Sequence, residues 1–261
     1  MRIDIDLRKS LPENAQTYYD ASKKAKRKLP GLKKALEDTQ KKINNLSLKD
    51  VKQKISAPKK KPKKKWYEKF RWFNSTDGFL VIGGRDATSN DILIKKYLQP
   101  NDLVYHADIQ GAPFFIVKNP AGKELPGETK REAAQAAASY SSAWKRGQAS
   151  ADVYEVSPDQ VSNTPPSGEY LPKGAFMIYG EKNWHRNMPL KVAIGVNQKT
   201  KIIGGPLSAV KIHSKKSVAL VPGDDKSGAL AKKIRQKLGG GELADIQYFI
   251  PTGQARILPQ K

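Results

Sequence analysis

Residues 103–117, LVYHADIQGAPFFIV, read as two short strands, 103–109 and 113–117, closed on each other by Gln110-Gly111-Ala112. Upstream, GFLVIGG (78–84) is a buried strand ending at a glycine turn, and Thr88 with Asp91 marks the cap of a short helix reaching Leu98. Downstream, a helix is expected over 128–146, stopped by Gly147, with Ala133, Ala137, Tyr140 and Trp144 on one face for close packing against a sheet. Further strands are expected at 151–156, 174–180 and 190–196, and a last helix over 225–238 ends at Gly239-Gly240-Gly241. Strand pairs with helices between them give an α+β class, a largely antiparallel sheet with packed helices.

Composition bounds the chemistry. The 261 residues suffice for one or two compact units plus an appendage, and 38% are hydrophobic, enough for a core. The 48 Lys and Arg against 25 Asp and Glu leave a net charge of +23, so an acidic partner is the first to consider. The absence of cysteine excludes a disulfide framework, a thiol nucleophile and a Cys-ligated zinc site; imidazole chemistry is left to His106, His185 and His213. The start, MRIDIDLRKS, lacks the apolar stretch of a secretory signal, and no run approaches the roughly 20 apolar residues of a membrane span. A cytoplasmic protein with no membrane partner is expected.

The charge is uneven. Residues 1–65 hold 21 Lys and Arg against 7 Asp and Glu. This quarter reads as a helical arm over 1–48, with Ser10 and Glu13 at capping-box spacing and Pro12 in the first turn. Ala15, Ser22, Leu29, Leu36 and Ile43, alternating with Tyr18, Ala25, Leu32, Thr39 and Leu46, form a weak coiled-coil seam that Pro30-Gly31 must break or kink. Such a stripe needs a second helix to cover it; the other reading is a solvated, fraying helix. Residues 49–65, with two prolines and a lysine-dense run, are a tether that can lie along phosphates or serve only as a solubilising linker.

Several residues in the remainder suit recognition. WYEKFRWF (66–73) interleaves aromatics with Lys69 and Arg71, a texture that stacks bases and pairs phosphates; alternatively Trp66, Phe70 and Phe73 are a helix face in the core, with the cations outside. Gly83-Gly84-Arg85-Asp86, between strand and helix, can offer backbone amides to an anion, with Arg85 held by Asp86 as a fork toward phosphate, although the P-loop spacing is absent. His106 and Asp108, at i and i+2 on a strand, share a face and could act as base and orienter; no third ligand or nucleophile motif accompanies them, so neither a catalytic nor a metal site is expected. The Pro- and Gly-rich stretch 160–184 is a shaped surface loop in which Tyr170, Lys173, Lys182 and Trp184 supply aromatic and cationic contacts.

WYEKFRWF, GFLVIGGRDATSND, YHADIQGAPFFIVKN and QVSNTPPSGEYLPKGAFMIYGEKN, in this order, resemble the NFACT-R domain, the RNA-binding module of the NEMF and RqcH family of ribosome-associated quality-control factors, in its archaeal and eukaryotic branch. The resemblance covers about 66–200, leaves 201–261 as a C-terminal extension packed on the domain, and makes 1–48 similar to the second coiled-coil arm that precedes it. It implies that the family's NFACT-N domain and first arm are missing here. It further implies binding to tRNA and ribosomal RNA on large ribosomal subunits that carry an obstructed chain. The coiled-coil partner would be a first arm, a second copy or, as in eukaryotic relatives, a ubiquitin ligase. Arg85, Asp86, His106, Asp108 and Gly111 match the family's polar signature, with Gly168, Glu169 and Lys182 later. Gln110, Asn163, Tyr179 and Glu181 stand where relatives often carry His or basic residues, which removes positive charge from the later block. The expectation is a non-enzymatic RNA-binding protein without cofactor. The alternatives are an RNA-processing enzyme built on His106, Asp108 and Arg85, and a general DNA-binding protein.

Overall fold

The computed structural model describes residues 4–44, 65–164 and 171–259, and its chain contacts divide into two units, Met1–Lys64 and Lys65–Lys261. Residues 49–64 of the tether and Leu46 lie outside the described residues, as do Gly168, Glu169 and Tyr170.

The first unit is built on one helix, α1 (Leu11–Asn44). The Glu13 carboxylate accepts from both the backbone N–H and the hydroxyl of Ser10, each at 2.8 Å, which supplies the carboxylate half of the capping box expected there. The helix continues through Pro30-Gly31, so of the break or kink expected there the break does not occur. A proline deletes one i→i−4 bond and crowds one carbonyl, a local defect that the flanking turns of a 34-residue helix absorb. Leu29, Leu32 and Leu36 of the seam are all more than half exposed.

The second unit contains two antiparallel sheets. The first has the order β1 (Arg71–Asn74), β2 (Leu80–Gly83), β4 (Phe114–Val117), β3 (Leu103–Ala107), β5 (Ser150–Val156), β8 (Asn183–Pro189). The second has the order β10 (Ile202–Gly205), β9 (Val192–Val196), β11 (Lys216–Asp225), β12 (Ala255–Ile257), and a small ribbon pairs β6 (Val161–Ser162) with β7 (Met177–Ile178). β9 and β10 pair across residue 200, so the sheet continues directly from the matched region into the tail. The first sheet is covered on both faces. On one, Tyr105, Phe115, Val153 and the small alanines of α3 (Gly127–Ser139) join the second sheet in the larger core; on the other, Ile82, Val104 and Ile116 pack with Phe70 and with Leu93 of α2 (Ala87–Tyr97). The alanine face allows the close helix-to-sheet approach that its small side chains suggested.

Five local readings are corrected. The WYEKFRWF segment is no core helix: Trp66–Lys69 is a 3-10 turn and Arg71–Asn74 a strand paired to β2, because antiparallel pairing with the GFLVIGG run satisfies its backbone. The cap of α2 is Asp86 with Ser89 in a reciprocal box, not Thr88 with Asp91. The 128–146 helix is divided, since the Ser141 hydroxyl donates to the Ala138 carbonyl at 2.7 Å and accepts from the Ala143 N–H, ending α3 and starting the short α4 (Ser142–Lys145). Gly147 does stop this run, in a left-handed conformation at φ 69°. Finally, 225–238 is not the last helix: after α5 (Leu207–His213) and α6 (Ser227–Leu238) comes α7 (Leu243–Phe249) beyond the glycines. The strand expected at 174–180 shrinks to β7.

Among the described residues, no helix is long and apolar enough to cross a membrane, and no group of three or more His, Cys, Asp and Glu is placed to hold a metal ion.

Candidate nucleic-acid interface

A cleft of about 490 Å³ opens where the start of α2, the β3–β4 turn, the α3–α4 corner and the segment 173–176 meet. Of the residues singled out above, Arg71, Arg85, Asp86, His106, Gly111 and Lys173 line it. The elements explain the convergence. Gly83 ends β2 against the Phe115 ring, Gly84 sits against Asn90 where a Cβ would collide with the amide, and Gly174, at φ 79°, lies on the Ala87 carbonyl. These close approaches bring Arg85 and Lys173 to one rim. Gly111, at φ 78°, turns the chain from β3 to β4 on another.

The charge on the cleft is one-sided. Arg85, Lys145 and Lys173 are exposed and Arg71 is buried, while Asp86 is the one carboxylate on the wall. Asp86 is committed to the helix end: its side chain accepts from the Ser89 N–H at 2.8 Å, and that bond holds its carboxyl below the usual range. The first-turn amides of α2 thus already have an anion, which corrects the expectation of a free backbone cradle; an incoming anion must be met by side chains. Nor does Asp86 form the expected fork with Arg85, whose guanidinium lies 4.6 Å from the centre of the Tyr248 ring. Arg71 lies 4.2 Å from the centre of the Tyr140 ring and donates from Nη1 to the Tyr248 carbonyl at 3.1 Å, so it is not a cation left outside. Burial lowers its readiness to hold charge, yet guanidinium stays protonated in any ordinary condition.

His106 and Asp108 do not form a pair. β3 ends at Ala107, so Asp108 has left the strand, where its N–H donates to the Asp152 carbonyl at 2.8 Å and its side chain is exposed. The imidazole is held instead between the Ala112 carbonyl, 3.2 Å from Nε2, and the Tyr154 hydroxyl, 3.2 Å from Nδ1. Burial pushes its pKa down to about 4, so it is neutral at pH 7 and forms part of an aromatic wall with Phe114, Tyr154 and Phe176.

The later residues fall beside this wall. Lys182 sits 4.4 Å from the centre of the Tyr154 ring, and Trp184, 38% exposed, meets Tyr154 edge-on while carrying Arg186 at 4.0 Å. Tyr154 is therefore common to the cleft and to the Lys182–Trp184 cluster. Lys69 belongs to neither: its Nζ donates to the Tyr97 hydroxyl at 3.0 Å, next to Trp66 stacked on Tyr97 at 4.4 Å. Sequence reasoning missed Lys145, Asn90, Phe176 and Thr252 on the cleft, and Tyr248 behind it. Lys145 could have been found by reading Ser141 as a cap, which turns the following helix.

Fold and cleft together define a basic α+β domain with a cleft lined by cationic and aromatic side chains. Residues 69–180 match the family described as the NFACT protein RNA binding domain, and the chain belongs to this family. It is 42% identical over 98% of its length to the archaeal Rqc2 homolog aRqcH of Methanocaldococcus jannaschii, spanning 40% of that protein. It is 45% identical over 70% of its length to the NEMF homolog of the ribosome quality control complex in Drosophila melanogaster, covering 18% of it, and 42% identical over 66% to human NEMF, covering 16%. The chain thus spans well under half of each of these relatives.

Proposed function

We propose that this protein is a non-enzymatic RNA-binding component of ribosome-associated quality control in the cytoplasm, binding tRNA and ribosomal RNA on large subunits that carry a stalled chain. The observation that carries this reading is the convergence of the exposed Arg85, Lys145 and Lys173 on one cleft, all three within the segment matching an RNA-binding family. Lys182 and Trp184 extend the surface through Tyr154, and a net charge of +23 supplies long-range attraction to phosphate. A binding role, and not acid–base chemistry, fits an imidazole with both ring nitrogens engaged by Ala112 and Tyr154 and with burial keeping it neutral. The exposed Leu29, Leu32 and Leu36 support pairing of the arm with a second helix.

The test is binding of the full chain to purified large subunits and to tRNA at several salt concentrations. If about 6 to 10 phosphates are neutralised, affinity falls by roughly three to five decades between about 50 and 200 mM salt. A flat response, or equal displacement by tRNA, ribosomal RNA and duplex DNA, would overturn the reading. Turnover of labelled tRNA, lost in a folded His106→Ala protein, would favour the enzyme instead.

A further inference from the structure

The lining of the cleft carries two chemistries. Arg85, Lys145 and Lys173 make it cationic and are exposed; among the described residues no carboxylate lies within ion-pair distance of any of the three. The half-buried His106 and Phe176, with Phe114 and Tyr154, make it aromatic. Asn90, only 8% exposed, lines it as well. Its Oδ1 accepts from the Phe114 N–H at 3.3 Å.

A volume of about 490 Å³ is that of a small-molecule cleft and accommodates a single nucleotide; it cannot admit a base-paired helix. Duplex RNA hides its base faces, whereas an unpaired base can be turned out and laid against an aromatic side chain. From these features we propose that the cleft receives one unpaired nucleotide projecting from an RNA strand. Its base stands against Phe176 and His106, its phosphate is met by Arg85 and Lys173, and the Asn90 amide donates to a base or sugar acceptor. Neutral His106 serves here as a flat surface and adds no charge. This inference rests on the RNA-binding reading above and specifies what the site distinguishes: the presence of an extruded nucleotide, not the sequence of a paired stem.

The experiment uses the full chain and two hairpin RNAs that differ by one bulged nucleotide, at fixed salt, with free nucleoside 5′-monophosphates as competitors. The bulged hairpin should bind roughly 5- to 100-fold more tightly, the size of one base stacked on an aromatic side chain. Lys173→Ala, at an exposed position, and Phe176→Ala should each shrink that preference, and thermal melting reports whether each variant is folded. Equal binding of the two hairpins, or a preference undiminished in folded Lys173→Ala and Phe176→Ala proteins, overturns the single-nucleotide cleft while leaving RNA binding standing. Failure to bind either hairpin overturns both readings. Free nucleotides binding as tightly as the bulged strand would make the occupant a free nucleotide and overturn the assignment to RNA.

Discussion

The guanidinium of Arg85 rests 4.6 Å from the centre of the Tyr248 ring, although the two residues belong to opposite ends of the second unit. The same tyrosine gives its carbonyl to Arg71 and its hydroxyl to the carbonyls of Glu68 and Phe70. Helix α7 is thereby fastened behind the cleft, and it fixes the direction of the exposed arginine. Tyr248→Ala should lower RNA affinity several-fold and also lower stability. Tyr248→Phe keeps the ring under Arg85, so it should retain RNA affinity while losing about 0.5–1.5 kcal/mol of stability with the hydroxyl's bonds. Filter binding and urea unfolding of the two variants separate these effects; equal affinity losses in both would sink the positioning role.

Two glycines with the same left-handed backbone should respond differently to a methyl group. Gly111, at φ 78°, has open space around its would-be Cβ, so Gly111→Ala should cost only about 1–2 kcal/mol of backbone strain. At Gly174, φ 79°, the added carbon would fall 2.2 Å from the Ala87 carbonyl oxygen, a contact that moves the 173–176 segment off α2. Gly174→Ala should therefore lose RNA affinity as well as stability, with Gly111→Ala the milder of the two in melting temperature.

Acid should weaken the fold through His106. The unfolded chain takes up a proton on this imidazole near pH 6.5, while burial keeps the folded one neutral down to about 4. The stabilisation is therefore complete above about pH 7 and drains away as pH falls from about 6.5 to 4, where the unfolded state binds more protons. Between about pH 7 and 5 this amounts to a loss on the order of 1–2 kcal/mol. Urea titrations of the protein and of His106→Gln should show the smaller acid loss in the variant; parallel curves would remove His106 as the cause.

Lys145 and Lys173 carry their charges into the cleft from separate elements, so each contributes its own counterion release. Lys145→Ala and Lys173→Ala should each lower the slope of log affinity against log salt by about 1, and the double variant by about 2. A slope unchanged in the double variant would mean that phosphate is met elsewhere.

The parts of this fold legible in the sequence are those in which the local pattern and the tertiary environment agree. The 103–117 hairpin and the alanine face of α3 are short apolar signals that packing reinforces, and Tyr105 and Ala137 are both fully buried. The parts misread are those where a side chain competes with the backbone. Ser141 ends a helix that composition would continue, and Asp86 occupies amides that a strand–glycine–helix pattern leaves open for a ligand. Of the site, the cations at 85 and 173 could be picked out as residue types, but their meeting could not, because it depends on Gly174 touching Ala87 from the far side of a long loop. Asn90 and Tyr248 gave no signal: an asparagine within a helix and a tyrosine near the carboxyl end acquire their roles only from neighbours distant in the chain.

β9 and β10, both beyond residue 180, pair with each other in the second sheet, and α7 returns from the carboxyl end to grip Arg71 and Arg85. The stretch that the family model matches, residues 69–180, is consequently smaller than the stretch that holds the cleft together. Anyone transplanting this module into another protein should carry residues 65–259 as one piece; a graft trimmed to 69–180 would strand a buried guanidinium and surrender the shape of the pocket.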